Sequence, residues 1–386
     1  MSYKQALDYL YSLQNIRDEW DLEDTRRLLD KIGNPHKKLK VIHVTGSNGK
    51  GSVTAMVSSI LKQANYKVGS FYSPHVNKFT ERIQINNQEI DKVDVEKLLM
   101  KVRPFVDGQS FFEIVTAMGF LYFAEQECDF VVLEVGMGGL LDATNVCDSL
   151  ISVITNVNIE HPEHLGKTIE KIAKQKAGII KENSICVTGA DGIALEIIRE
   201  ECEKKNTKLY VSRPTNIQPG LGGEFQKING GIAIKTIKAL KNYDLNLPKK
   251  AIIDGLENAT LPGRFHFIEE NVLVDAAHNP SGMFCLMDEV RKLNYNNLIL
   301  VIGILGDKDM KGIVEELLPF SNAIITKPDS HRAADPKTVA RLFKHDSKVI
   351  ENPKDALEYA KSIAKEDDLI VATGSFYTIA PILSEK

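Results

Sequence analysis

The sequence predicts an α/β protein of two domains: a larger one built on a mostly parallel sheet, then a smaller Rossmann-like α/β domain. Three observations predict it. Short apolar runs alternate with helical patterns from Lys40 to about Cys186, the segment Leu261 to Arg264 (Leu-Pro-Gly-Arg) interrupts the pattern, and the alternation resumes from Val272 to Thr373. Strands separated by helices pair in parallel, with helices covering both faces of the sheet. The length agrees, because 386 residues exceed what one core usually serves. The boundary falls after residue 261, giving domains of 1–261 and 262–386.

The elements follow in order. Val41–Thr45, Lys67–Tyr72, Phe130–Glu134, Ile151–Thr155 and Ser184–Val187 read as strands, short apolar runs of β-branched and aromatic character. Ser52–Ala64 carries Val53, Met56, Val57, Ile60 and Leu61 at helical spacing, and Phe111–Glu127 and Thr168–Lys176 read as further helices. Ser212–Gly223 is rich in Pro and Gly and reads as a loop, followed by helical patterns at Phe225–Leu240 and Lys249–Asn258. In the second domain, strands are expected at Val272–Asp275, Leu298–Ile302, Ala323–Thr326, Lys348–Ile350 and Leu369–Thr373.

Composition narrows the function. Hydrophobic residues make up 43% and charged residues 26%, which excludes a disordered or fibrous chain. A net charge of −4 gives no basic field to recruit nucleic acid. No apolar run is long enough to span a membrane, and Met1 to Leu10 alternates polar and apolar residues without a secretion-signal core. The five cysteines (Cys128, Cys147, Cys186, Cys202, Cys285) are scattered and without CxxC spacing, so neither a disulfide framework nor a thiolate metal site is expected. A reduced, cytoplasmic monomer without nucleic-acid or membrane partners is the expectation.

The strongest motif is Val41-Ile-His-Val-Thr-Gly46-Ser-Asn48-Gly49-Lys50-Gly51-Ser52, a strand running into a glycine-rich turn and a helix. Glycines let backbone N–H groups approach phosphate oxygens, the helix N-terminus favours negative charge, and Lys50 would reach the β- and γ-phosphates. The strict pattern GxxxxGK[ST] is not met: Val44 stands where the first Gly belongs, and Gly51 separates Lys50 from Ser52. The reading is a P-loop nucleotide-binding domain. No GxGxxG follows the first strand and no GxSxG occurs, which removes the dinucleotide and serine-hydrolase readings.

Gly46 to Ser52 resembles the GTNGKGS loop of the folylpolyglutamate synthase/dihydrofolate synthase family, a branch of the Mur ligase superfamily. Further segments resemble it in family order: Gly33-Asn-Pro35, Ser73-Pro-His75, Phe79 to Ile83, Phe111-Phe112-Glu113, Glu134 to Asn145, Ile154 to His161, Lys176 to Ile179, Pro262-Gly-Arg264, Asp275 to Pro280, Gly306 to Asp309 and Thr373-Gly-Ser375. Together they cover nearly the whole chain. Read as residues, Ser73, Glu134 and His161 lie at or just past predicted strand ends, the edge where parallel sheets bind ligands. On that ground alone Glu134 is more readily a helix-capping acid and His161 a surface histidine. The resemblance implies that the three ligate Mg²⁺.

A lysine at a helix end, such as Lys176, is ordinarily a solvated charge or a dipole partner. The resemblance implies a carbamylated Lys176 near a second Mg²⁺, with Lys50, Lys176 and His161 as the catalytic set. It implies nucleotide contacts for Asn229, in a segment where Phe225 replaces the family's His, and for Arg264 and Asp275. His278 and Ser375 match positions near the incoming amino acid, and Phe112, Glu113 and Asp142 match the lining of the pterin acceptor. His164 matches no metal position and is read as a surface residue. The activity implied is ATP-dependent amide ligation through an acyl phosphate, joining L-glutamate to dihydropteroate or a reduced folate. The two domains are expected to close over ATP and keep water from that intermediate.

Three departures stand out. Leu140 replaces the usual Arg of GGRLDATN, Glu160 replaces the Asp before His161, and the stretch from Tyr210 to Glu224 is short. They leave open a Mur-type ligase acting on a non-folate carboxylate. A P-loop regulatory protein without ligase activity is the reading from a different class.

Overall fold

The computed structural model describes residues 1–13, 21–318, 322–343 and 347–384. Its first compact unit comprises Met1–Pro74, Phe79–Gly220 and Lys227–Thr260; the second comprises His75–Lys78, Leu221–Gln226 and Leu261–Lys386.

In the first unit the strands are β1 (Val41–Thr45), β2 (Val68–Phe71), β3 (Ile83–Ile85), β4 (Gln88–Glu89), β5 (Phe130–Glu134), β6 (Ser149–Ile154), β7 (Ile185–Thr188) and β8 (Lys208–Val211). Among the described residues they form one sheet in the order β4-β3-β2-β5-β1-β6-β7-β8. The pairings along β2-β5-β1-β6-β7-β8 are parallel, and β3 alone runs against the rest, antiparallel to both β2 and β4. β1 and β5 are buried along their whole length, as expected for central strands covered on both faces.

The helix after β1 spans Lys50–Gln63 and is buried on nearly every side. It lies on the sheet and against the helix Lys249–Glu257, where Gly255 permits the approach: a Cβ there would sit 2.4 Å from the Ile60 Cα. The sequence reading begins this helix two residues late. Over the N-terminal stretch, Tyr3–Tyr11 is a helix that buries Ala6 and Leu10 one turn apart. Its start is fixed by Ser2 and Gln5, which satisfy each other's orphan N–H groups.

The second unit holds β9 (His266–Glu269), β10 (Val272–Val274), β11 (Leu298–Ile302), β12 (Asn322–Ile325), β13 (Lys348–Val349) and β14 (Leu369–Thr373). Their order is β13-β12-β11-β14-β10-β9, parallel except for β9. Two apolar layers, one around Leu286, Leu300 and Ile313 and the other around Val301, Ala360 and Ile379, cover its faces. Among the described residues, no helix is long and apolar enough to cross a membrane.

Candidate active site

Strand β1 delivers the chain into the turn Gly46–Gly49. Gly46 takes φ +150°, and a Cβ there would fall 1.8 Å from Thr155 Oγ1; Gly49 takes φ +81°, and a Cβ would meet Asn229 Oδ1 at 2.4 Å. Glycine is therefore required at both positions, once by space and once by space and handedness. Gly49 is also the N-cap of the following helix and supplies no capping side chain. The first-turn N–H groups at Lys50, Gly51 and Ser52 consequently belong to a helix start suited to an anion.

The turn is held by the segment after β6. Asn48 N–H donates to Asn156 Oδ1 at 2.9 Å, and Asn48 O accepts from Thr155 Oγ1 at 2.6 Å and Asn156 Nδ2 at 3.1 Å. Ser47 Oγ donates to Asn158 O at 3.1 Å and accepts the Asn158 N–H at 2.9 Å. Lys50 Nζ folds back over the turn and donates to Gly46 O at 2.7 Å and Ser47 O at 3.4 Å. Thr155, Asn156 and Asn158 were not assigned roles from sequence, although they fall within the matched segment Ile154 to His161.

Lys176 lies near the end of the helix Ile169–Ala177, begun by the N-cap Thr168. It is fully buried, not solvated, and its Nζ pairs with Glu160 Oε1 at 2.5 Å. Burial pulls the Lys176 ammonium down to about 8, with the Lys50 charge adding to the effect and Glu160 opposing it. For Glu160, burial would raise the carboxyl, but the charges of Lys176 and Lys50 outweigh it and bring it to about 2. The pair is ionised at neutral pH, and Lys50 is near enough for its charge to act on both partners.

Ser73 follows β2 and Glu134 ends β5, neighbouring strands of the sheet. Ser73 N–H donates to Glu134 Oε2 at 3.0 Å, so the two residues that the sequence places 61 apart stand together. A hydroxyl and a carboxylate at that edge match the oxygen preference of Mg²⁺, which typically takes only one or two protein carboxylates. His161 follows β6 with φ +43° and starts the short helix Pro162–Leu165. Among the described residues no three His, Cys, Asp or Glu side chains group closely enough to hold an ion by themselves. Metal binding here would therefore draw on phosphate and water oxygens as well.

The acceptor residues divide. The Phe112 ring packs on Gly136, where a Cβ would lie 2.6 Å from Cζ, and tilts toward Phe71 at 6.1 Å. Glu113 is engaged by its own helix: Oε2 accepts from Ser110 N at 2.7 Å and Ser110 Oγ at 2.8 Å, and Oε1 accepts from Thr25 Oγ1 at 3.1 Å. Asp142 accepts from Thr144 N at 3.0 Å and Thr144 Oγ1 at 2.5 Å on Oδ1, and from Met137 N at 2.9 Å on Oδ2. Its acceptor capacity is directed at the loop 135–144, and burial raises its pKa against those donors. Leu140 and Leu141 of the same loop are 42% and 43% exposed, Leu140 standing where the resemblance leads one to expect Arg.

In the second unit, Arg264 Cζ lies 4.5 Å from the Phe376 ring centroid, and the His278 ring lies 5.8 Å from it. Phe376 joins two residues selected from sequence and was itself passed over. His278 Nδ1 is 2.9 Å from Ala276 O, which directs a proton to that nitrogen. Asp275 is buried and accepts from Phe265 N at 2.7 Å and Ala277 N at 2.8 Å; burial raises its pKa, with Arg264 opposing. Ser375 caps the helix Phe376–Leu383 through Thr378 N at 3.0 Å.

A glycine turn at a helix start with a lysine folded over it, and an acid on a nearby strand end, is an arrangement suited to the phosphates of a nucleotide. The comparisons agree, for the Mur ligase middle domain matches residues 44–248 and the Mur ligase glutamate ligase domain matches 263–376. The chain belongs to the dihydrofolate synthase/folylpolyglutamate synthase family. It is 32% identical to the dihydrofolate synthase/folylpolyglutamate synthase of Bacillus subtilis, over 99% of this chain and 98% of that one. It is 30% identical to the enzyme of the same description from Escherichia coli, over 98% and 94%. A probable bifunctional folylpolyglutamate synthase/dihydropteroate synthase of Haloferax volcanii is 32% identical over 98% of this chain, which spans 50% of that protein's length.

Among solved structures, Mycobacterium tuberculosis folylpolyglutamate synthase complexed with ADP superposes with a TM-score of 0.92 at 28% identity, covering 98% and 97% of the two chains. E. coli FolC in complex with DHPP and ADP gives 0.91 at 27% identity, covering 98% and 96%. The Yersinia pestis bifunctional enzyme complexed with AMPPNP and Mn ion gives 0.90 at 26%, covering 99% and 97%.

Proposed function

We propose that this protein joins L-glutamate to the carboxylate of a pterin acceptor, dihydropteroate, a reduced folate or both, at the expense of ATP. The observation that carries the reading is the turn Gly46–Gly49, anchored by Asn156 and Asn158 and followed by an uncapped helix start with Lys50 above it. An acceptor carboxylate oxygen attacks the γ-phosphorus, the bond to the β-phosphate oxygen breaks, and ADP leaves. The glutamate amine, deprotonated, then attacks the acyl carbon, and collapse of the tetrahedral intermediate expels phosphate and leaves an amide.

Phosphoryl transfer asks the protein mainly for position and charge. The turn amides hold the phosphates and Lys50 leaves its carbonyl partners for the β- and γ-oxygens. Ser73, Glu134 and His161 would hold Mg²⁺, which supplies neutralisation of phosphate charge when bound. A carbamylated Lys176 with a second ion remains part of the proposal. A neutral amine is the form that takes up CO₂, and a lysine brought to about 8 offers more of it at neutral pH than an ordinary lysine. Intact mass should then show an added carboxyl group, and CO₂ depletion should lower activity.

Phe112 is placed against the pterin ring, with Glu113 and Asp142 shaping its surroundings. In the second unit, Arg264 and Asp275 serve the nucleotide, and His278 and Ser375 the amino acid. Asn229, which bounds Gly49, serves the nucleotide in the first unit. The protein acts as a monomer in the cytoplasm, where the thiols of its five cysteines remain free.

ADP release with Mg-ATP and L-glutamate, compared for dihydropteroate, tetrahydrofolate and no acceptor, tests the reading. Stimulation by dihydropteroate alone makes it a dihydrofolate synthase, and stimulation by tetrahydrofolate adds polyglutamylation. Stimulation by neither overturns the pterin assignment and turns attention to Leu140 and Leu141.

A further inference from the structure

A histidine in the middle of a buried parallel strand needs a reason, since its neighbours Ile42 and Val44 satisfy the core with hydrocarbon. His43 is fully buried, and its Nε2 lies 2.8 Å from Thr144 Oγ1 while Nδ1 lies 4.0 Å from Cys147 Sγ. Thr144 Oγ1 is also 2.5 Å from Asp142 Oδ1. An ionised carboxylate only accepts, so the Thr144 hydroxyl proton points at Asp142 and its oxygen must accept from His43. This assigns the imidazole proton to Nε2 and leaves Nδ1 to face the Cys147 thiol. Burial, with the Lys181 charge, keeps the ring neutral. Two residues further along β1, Thr45 Oγ1 donates to Gly138 O at 2.6 Å. The strand that opens into the nucleotide turn thus grips the loop after Glu134 at two points.

We infer that His43 is a positioning residue of the ligation: through Thr144 it orients Asp142 and fixes the loop 135–144, and with it the surface on which Phe112 rests, relative to the nucleotide turn. The inference rests on the proposed acceptor site for its kinetic reading, but the loop's order can be read without substrate. The cleanest test compares Thr144→Val, which keeps volume and removes the hydroxyl, with Thr144→Ser, which restores it. His43→Gln, retaining an N–H, is compared in the same way with His43→Leu.

In the valine and leucine variants, kcat/KM for the pterin acceptor should fall by between roughly tenfold and a hundredfold. KM for ATP and affinity for ADP should stay within about twofold, and the serine and glutamine variants should recover most of the loss. Hydrogen exchange of a peptide covering 135–145 in the free protein should quicken in Thr144→Val and not in Thr144→Ser. Unchanged acceptor kinetics, or equal losses for acceptor and nucleotide, would overturn the inference. If the wild type turns over neither pterin, the functional reading fails alone, and the exchange of the loop still decides the role of His43.

Discussion

The ion pair of Glu160 with Lys176 makes a prediction whose sign depends on the chemical state of the lysine. Glu160→Gln removes the anion and keeps the volume, leaving a side chain 1% exposed to carry its charge without the carboxylate 2.5 Å away. At an effective dielectric of about 20 the attraction lost is roughly 7 kcal/mol, much of it offset in the wild type by the desolvation of both groups. Removing one partner of a buried pair costs about 3–5 kcal/mol. For a unit of this size that corresponds to a fall in Tm of roughly 6–20 °C, read by calorimetry in CO₂-free buffer. Lys176→Met in the same background should recover most of it, because the coupling then has no charge to act on.

The pH dependence follows from Glu160, whose pKa is depressed from 4.5 to about 2. Its contribution is present above 4.5 and is lost as pH falls through 2, so wild type and variant should converge in that window. A Tm unchanged within about 1 °C would refute the ion pair. A raised Tm would mean that Lys176 bears an anionic carbamate even there, its repulsion from Glu160 relieved by the amide.

Further outcomes are expected elsewhere in the site. Lys50→Ala should lower kcat by at least about a hundredfold with stability changed by no more than roughly 0.5 kcal/mol, measured by ADP release and thermal melting. Gly49→Ala places a methyl 2.4 Å from Asn229 Oδ1 at φ +81°, so ADP affinity measured by calorimetry should drop at least about tenfold. Glu134→Gln should shift the Mg²⁺ concentration for half-maximal rate upward by about tenfold or more, and an unshifted titration would exclude it as a ligand. Above pH 8, Lys176 binds fewer protons in the fold than in the unfolded chain, whose lysine titrates near 10.5. Stability of the wild type should therefore rise relative to Lys176→Met between pH 8 and 10, checked by denaturant titration.

Much of this was legible in the sequence because parallel strands covered on both faces must be continuous apolar runs. Apart from His43 in β1 and the terminal Thr45 and Thr373, β1, β11 and β14 are such runs, and their ends agree with the sequence reading to the residue. Edge strands carry no such signal. β8 and β9 expose alternate or terminal side chains, and neither was read as a strand. The glycine turn was legible since its residues are contiguous. Asn156 and Asn158 were not, because their task depends on β6 lying beside β1, an adjacency that strand order in the chain does not encode. Glu113 was legible in one respect and overlooked in another: the resemblance implies a place at the acceptor, while the capping-box spacing of Ser110 and Glu113 was equally visible and went unread.

The threading of the second unit limits how the protein can be cut. Its core is not made from the C-terminal stretch alone. Phe225 packs edge-on against Phe265 at 6.3 Å, Glu224 N–H donates to the buried Glu289 at 2.8 Å, and Val76 joins the layer around Ala360 and Ile379. A gene fragment beginning at Leu261 would therefore encode every strand of that sheet and still lack two of the segments that complete it. Expressed by itself, it would bare an aromatic face and leave Glu289 without an amide donor. For domain swapping, deletion or split-protein work, the segments His75–Lys78 and Leu221–Gln226 therefore travel with the C-terminal stretch.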